Sequence, residues 1–273
     1  MKAPFEIEWM GGAAEHHFRK VRPEPSTLPW GTLDLSAFAP DAVAYVRASW
    51  TNIAVNEYRA VASFAEVTRA FVDARAPLDL IAMVGDFLAD ECAHVEIASR
   101  FVMELGGAEP REVDVETFTP RPRGTAMQRA SELALRIGCV DEALSGATLR
   151  ELLAMDLHPL PRAIGEAILR DESRHRRLGG LYFEWAHEKI DDAERARLGH
   201  VLFAWLDALK GMWSLAPHVR DAKLPTKDIV RLGWLDPVTY AKVLRDAVVS
   251  EVLEPLSGIG IVVTDEERAK ILG

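Results

Sequence analysis

Asp90-Glu91-Cys92-Ala93-His94 and Asp171-Glu172-Ser173-Arg174-His175 repeat one pattern, Asp-Glu-x-x-His, in the two halves of the chain. A glutamate and a histidine three residues apart lie on one face of a helix. A third Glu-x-x-His, Glu184 and His187, shows that the bare pattern carries little in a chain so rich in glutamate. The setting separates the three. Around Glu91 and His94 the positions on the same face are Val84, Phe87, Leu88, Val95, Ala98 and Phe101, so both polar groups stand in the middle of an apolar stripe. Around Glu172 and His175 the stripe runs through Ile164, Gly165, Ile168, Leu169, Gly179 and Tyr182. Glu184 and His187 lie about 18 Å further along that helix and are rotated by about 120°, off the stripe.

The same test on the preceding helical segments selects one carboxylate in each. Glu57 is flanked by Trp50, Ile53, Ala54, Ala60, Val61 and Phe64, whereas Glu66 falls on the opposite side. Glu142 stands between Leu135, Cys139, Ser145, Gly146 and Leu149, whereas Glu151 fails. Four segments in order therefore carry Glu, Glu-x-x-His, Glu, Glu-x-x-His. An unpaired carboxylate in an apolar stripe costs several kcal/mol. Four carboxylates facing one core repel or take up protons unless cations neutralise them. Oxygen ligands with some imidazole suit iron or manganese, and the lack of thiolate argues against structural zinc.

The segments themselves are long. Helical period runs from Asp41, read as an N-cap, to about Ala74, and from Pro77 to the Gly106–Gly107 pair. It resumes from about Thr125 to Met155, and after His158-Pro159 to about Ile190. Some thirty residues at ~1.5 Å rise give rods of about 45 Å, the length of bundle helices. Short turns at Arg75–Pro77 and Asp156–Pro159 make each flanking pair antiparallel, and the link from Gly107 to Gly124 is long enough to cross the bundle. No strand alternation persists. The predicted fold is all-α: an N-terminal arm over 1–40 broken by prolines, a four-helix bundle over 41–190, and a helical extension over 191–273 packed on it as one domain. In the extension the expected helices reach to about Leu215 and span Pro237 to Leu253, with a loop holding Pro217 and Pro225 between them.

Composition narrows the function. The 273 residues are 49% hydrophobic and 27% charged, which speaks against disorder. Acidic residues outnumber basic ones 42 to 32, for a net charge of −10, and such a surface repels phosphate backbones and anionic lipid. Neither nucleic acid nor membrane is expected as a partner. Two cysteines exclude a disulfide framework and a four-thiolate metal site. With no apolar signal segment at the start and no run of about 18 apolar residues, a cytoplasmic location is expected.

On the Glu, Glu-x-x-His, Glu, Glu-x-x-His order and its two Asp-Glu-x-x-His motifs, residues 41–190 resemble the ferritin-like di-iron carboxylate superfamily, and in particular its oxygen-activating branch of bacterial multicomponent monooxygenases, acyl desaturases and relatives. The resemblance implies a ferritin-like bundle with a dimetal core. It implies that Glu57, Glu91 and His94 hold one iron and Glu142, Glu172 and His175 the other, with Glu91 and Glu172 bridging. It implies that Asp90 and Asp171 each accept a hydrogen bond from a ligand histidine and fix its tautomer. The implied cofactors are two Fe ions, with Mn/Fe or Mn/Mn as alternatives, and dioxygen as co-substrate.

The implied activity is that of a non-haem di-iron oxygenase or oxidase, a monooxygenase-type oxidoreductase acting on a small organic substrate. No flavin, nicotinamide or iron–sulfur motif is visible, so an external electron donor, a ferredoxin or a reductase, is implied. A homodimer stays open. A ferroxidase or iron-storage protein and a manganese-catalase-like protein are the alternatives, although storage ferritins are shorter and lack a C-terminal extension of this size. Ser145 and Gly146, one turn beyond Glu142, are candidate pocket residues, with Gly138, Gly165 and Gly179 near the facing stripes. Tyr182, two turns past His175, is a candidate for the pocket or for electron relay. The amine N-oxygenases of the superfamily show an additional histidine one turn before the second Glu-x-x-His; Ile168 stands there in this chain, which speaks against N-oxygenation.

Overall fold

The computed structural model describes residues 2–119, 121–220 and 223–273; residues 1, 120, 221 and 222, which fall in the expected arm, crossover link and proline loop, lie outside the described residues. Four long helical segments form the bundle. The first spans Pro40–Asp73, with Pro40 at its opening position, where a missing N–H costs nothing. Ala39, not Asp41, is its N-cap, and the Ala39 N–H donates to Asp228 Oδ2 at 2.9 Å. The second spans Leu78–Glu104 and ends at Gly106 and Gly107, whose φ values of 97° and 106° suit glycine. Thr125 and Gln128 form a capping box at the start of the third. His158 caps the fourth, its Nδ1 accepting from the Leu160 N–H at 3.3 Å.

Contacts between the helices fix their directions. Phe64 packs on Phe87 while Trp50 packs on Phe101, so the first two helices run antiparallel. Arg129, near the start of the third, pairs with Asp73 at the end of the first, 3.4 Å away. The third therefore also runs against the first and parallel to the second. The link over 105–125 thus crosses the length of the bundle, and the topology is that of a ferritin-like bundle with one long crossover.

Two helices depart from the expected regularity. The third is α-helical over Ala126–Leu133, π-helical over Ala134–Asp141 and α-helical again over Glu142–Leu153. The fourth is broken at Arg176 into Pro159–His175 and Arg177–Ala186. Gly138 and Gly179 lie where these irregular stretches meet. A Cβ at Gly138 would stand 2.8 Å from the Gly179 backbone nitrogen, and one at Gly179 would stand 2.2 Å from Cys139 Sγ. These glycines serve close helix packing and open no space at the site. The Cys139 thiol is in the same contact, its pKa pushed up to about 12 by burial.

Outside the bundle, the arm is less irregular than expected. Residues Gly12–Val21 form a helix, and Ala3–Pro4 pair antiparallel with Glu112–Val113. The arm lies along the second helix, anchored by an Arg19–Glu96 ion pair and by Arg22 on Asp86 at 2.7 Å. The C-terminal extension runs through helices Asp192–Leu209, Thr226–Arg231 and Pro237–Ala247, continues as a π-helical turn over Val248–Leu253, and ends with a helix at Asp265–Leu272. It packs on the bundle: Trp50 Nε1 donates to the Gly233 carbonyl at 3.0 Å, and Glu251 pairs with both Arg150 and Arg176. No helix among the described residues is long and apolar enough to cross a membrane.

The Gly138–Gly179 contact yields a direct test. Gly179→Ala is expected to overpack the crossing and destabilise the fold by about 1–3 kcal/mol, read as a drop of several degrees in Tm. Gly180→Ala, where a Cβ meets open space, is expected to leave Tm unchanged or slightly raised.

Candidate metal centre

At mid-bundle the stripes converge. Glu91, Glu142, Glu172, His94 and His175 are buried, and Glu57 is nearly so, with 15% of its side chain exposed. Their donor atoms form two overlapping quartets, Glu57–Glu91–His94–Glu172 and Glu91–Glu142–Glu172–His175, each with its atoms within 4.8 Å of one another. Glu91 and Glu172 belong to both. All six residues selected from the sequence thus come together, and neither Glu66 nor Glu151 joins them.

Each imidazole has two distinct sides. Nδ1 of His94 is 3.7 Å from an oxygen of each of Glu57, Glu91 and Glu172. Nδ1 of His175 is 3.0 Å from Glu91 and 3.5 Å from Glu142. On the far side the motifs cross-pair. Nε2 of His94 faces Asp171 Oδ2 at 3.4 Å, and Nε2 of His175 faces Asp90 Oδ2 at 3.1 Å. A carboxylate there accepts a proton held on Nε2 and leaves the Nδ1 lone pair directed at the cluster. Phe87 and Phe64 pack on the His175 ring at 4.2 and 5.4 Å and restrict its rotation.

These groups fit cations better than they fit each other. Nδ1 of both histidines and Oε2 of Glu142 and Glu172 are buried without a hydrogen-bond partner. Most buried polar atoms are bonded, so four convergent exceptions mark a place built for something else. Proton affinities reflect the same frustration. Burial drives the Glu57 carboxyl up to about 7, only partly relieved by His94. Burial, then Glu142 and Glu91, hold the Glu172 carboxyl well above the usual range. Burial also acts on Glu91, but His175 and His94 outweigh it and keep that carboxylate ionised. Burial opposes charge on the histidines and is overcome, first by Asp171 at His94 and first by Asp90 at His175, whose pKa is pushed up to about 12. Protons on the imidazoles and on two carboxyls take the place that divalent cations would fill.

A cavity of about 580 Å³ adjoins the cluster, between the first and third helices. Glu57, Glu91, Glu142 and Glu172 form part of its wall, with Ser145 and Ile168 beside them. At one end it is apolar, with Trp50, Ile53, Leu149, Leu152, Trp234 and Leu244. The other end is more polar and includes Arg59, Arg136, Asp141 and Trp205. Burial brings the Asp141 carboxyl up to about 7 despite the hydrogen bond from Trp205 Nε1 at 2.9 Å. The C-terminal extension supplies Trp205, Leu209, Trp234, Leu235, Tyr240 and Leu244 to the wall, to which no described residue of the N-terminal arm contributes.

Two expected pocket residues lie elsewhere. Gly146 points at Arg150 and Arg176, where a Cβ would stand 3.0 Å from Arg150 Nη1. Tyr182 is fully buried beyond the break at Arg176, stacked on Phe71 at 4.9 Å, with its hydroxyl 2.9 Å from Ser131 Oγ. Two arginines stand behind the aspartates: Arg174, which the sequence suggests as a partner of carboxylates, and Arg22, which it does not reveal. Arg174 reaches Asp90, Asp171 and Asp86 at 3.1, 3.0 and 3.2 Å, and Arg22 reaches Asp90 at 2.7 Å. The second motif carries Arg174 in plain view, but nothing local ties Arg22 to the first.

No family model matches the sequence, and no curated protein matches it. Among solved structures the chain is similar to "Protein 19 with aldehyde deformylating oxidase activity from Synechococcus", at 16% identity and a TM-score of 0.45, over 88% of this chain and 99% of that one. A likeness that distant says nothing about the reaction.

The raised Glu57 carboxyl has a consequence for the metal-free protein. The folded state holds this proton up to about pH 7, while the unfolded chain releases it near pH 4.5. Folding therefore takes up a proton across that window, and the group costs stability increasingly as pH rises from 4.5 through 7. In thermal melts of chelator-treated protein, Glu57→Gln is expected to match wild type near pH 4.5 and to exceed it by several degrees at pH 8. A constant difference across this range contradicts the assignment.

Proposed function

We propose that the chain is a dioxygen-activating, non-haem di-iron oxidoreductase, an oxygenase or oxidase acting on a small organic substrate. The observation that carries this reading is the juxtaposition of two overlapping Glu/His quartets with a cavity whose wall includes four of their carboxylates. Glu57, Glu91, His94 and Glu172 would hold one metal, and Glu91, Glu142, Glu172 and His175 the other, through the Nδ1 atoms of the histidines. The donor set, four carboxylates and two imidazoles without thiolate, suits iron and also admits manganese. Two bound ferrous ions would supply the reduction of dioxygen and the oxidation of the substrate.

The chain's own residues do the rest. Asp90 and Asp171 hold the Nε2 protons and fix both imidazole tautomers. The apolar end of the cavity, from Trp50 to Leu244, accepts a hydrocarbon body and keeps water from the metal face. Ser145 and Ile168, beside the carboxylates, border the place where the reacting carbon must lie. Ile168 brings no further nitrogen ligand. Electrons would come from an external donor, a ferredoxin or a reductase. A cavity of this size favours an enzyme over an iron store, which needs no organic pocket.

Protein purified from iron- or manganese-supplemented cells is expected to hold two metals per chain. Glu142→Ala and His175→Ala are each expected to bring this to one or fewer with far-UV helicity retained; unchanged metal content in both variants overturns the ligand set. Ser145→Phe is expected to keep both metals while losing at least 10-fold in turnover of whichever organic compound accelerates dioxygen consumption by the ferrous wild type. Equal loss of metal in Ser145→Phe contradicts a pocket role.

A further inference from the structure

The two Asp-Glu-x-x-His motifs are not equivalent. In the second, Arg174 directly precedes His175, and its guanidinium bridges the two aspartates that orient the histidines. In the first, the matching position before His94 is Ala93, buried and unable to reach either aspartate. A guanidinium nonetheless enters there from outside the bundle. Arg22, at the end of the helix Gly12–Val21, places Nε 2.7 Å from Asp90 Oδ1, while Asp90 Oδ2 faces His175 Nε2. The Arg22 side chain is only 12% exposed, and its Nη2 also donates to Asp86 Oδ1 at 2.7 Å and to the Asp86 carbonyl at 3.0 Å.

We propose that the N-terminal arm is a clamp on the metal centre: Arg22 fixes Asp90, Asp90 fixes the ring of His175, and arm docking and metal binding at that histidine reinforce one another. This rests on the dimetal reading above. Arg22 is a positioning residue, since it touches neither metal nor substrate. The charge logic is local. Asp90, 1% exposed, already faces the histidine; the Arg22 guanidinium paired with its other oxygen holds the carboxylate in place. The arm also approaches the other histidine, through Glu24 on Arg170 at 3.3 Å and Arg170 on Asp171 at 3.4 Å, but Arg170 is 56% exposed and that path is screened. The clamp therefore bears mainly on His175.

The arm has a second anchor that serves as a control. Arg19 pairs with the buried Glu96 and stacks on Trp9, without reaching Asp90 or Asp171. Arg19→Ala loosens the arm and leaves the aspartates untouched, whereas Arg22→Ala removes the guanidinium beside Asp90 Oδ1 and leaves only Arg174, on Oδ2. Because coupling between two equilibria is reciprocal, metal must tighten the arm as much as the arm tightens metal.

The test is an anaerobic titration of the full-length, metal-free protein with cobalt(II), followed by its ligand-field absorption, beside limited trypsin cleavage after Arg19 and Lys20. Wild type is expected to bind two cobalt ions, and cobalt is expected to slow cleavage of the arm. Arg22→Ala is expected to weaken one of the two ions about 10-fold, alter its absorption band and lose the protection. Arg22→Lys should recover part of the affinity, and Arg19→Ala, which loosens the arm without removing a partner of Asp90, should weaken that ion less than Arg22→Ala does. Wild-type cobalt affinity in Arg22→Ala overturns the clamp while leaving the dimetal site standing, and so does an equal loss in Arg19→Ala. Failure of wild type to bind cobalt overturns the dimetal reading and the clamp with it.

Discussion

Four carboxylates gathered within a few ångströms in an apolar core repel one another, and the rest of the structure is organised around that repulsion. In the low dielectric of a bundle interior such charges survive only with counter-charges at contact distance. The chain supplies these in layers. The imidazoles of His94 and His175 stand against the glutamates, Asp90 and Asp171 stand behind the imidazoles, and Arg174 and Arg22 stand behind the aspartates. The layers alternate in sign, and from the fully buried imidazoles outward each is more exposed than the one before. The innermost positions remain under-neutralised, as the raised carboxyls of Glu57 and Glu172 and the unpartnered Nδ1 and Oε2 atoms show.

The additions to the four helices divide the molecule into two sides. The arm lies on the second helix and seals the aspartate–arginine layer behind the histidines. The C-terminal extension lies across the first and third helices and walls the cavity in front of the carboxylates. The aspartates and arginines behind the histidines thus take no part in the cavity wall. A change to the cavity wall can leave the imidazoles in place, and a change at the arm can disturb them without narrowing the cavity.

Much of this was legible in the sequence because one period governs it. The apolar stripes of 3.6 residues placed Glu57, Glu91, His94, Glu142, Glu172 and His175 on facing helix sides, and the structure brings those six together. Where the period fails, so did the reading. The π-helical turn over Ala134–Asp141 adds residues to a turn with no local signature and rotates the third helix relative to an even 3.6 repeat. Gly138 and Cys139 consequently meet Gly179 and lie away from the cavity. The break at Arg176 does the same to Tyr182, which packs on Phe71. Gly146, like Ser145, lies one turn beyond Glu142, yet the two neighbours point about 100° apart and only Ser145 reaches the cavity. Arg22 was unreadable for a different reason. Its partner is distant in the chain, and a guanidinium in a proline-broken arm carries no pattern that names Asp90.

We propose that this charge-alternating core is built around two metal ions sharing Glu91 and Glu172. Anomalous diffraction from a crystal loaded with iron or manganese tests it most directly. Two peaks are expected per chain, one among Glu57, Glu91, His94 and Glu172 and the other among Glu91, Glu142, Glu172 and His175. A single peak, or metal bound anywhere other than these quartets while the imidazoles remain paired to carboxylates, would contradict it.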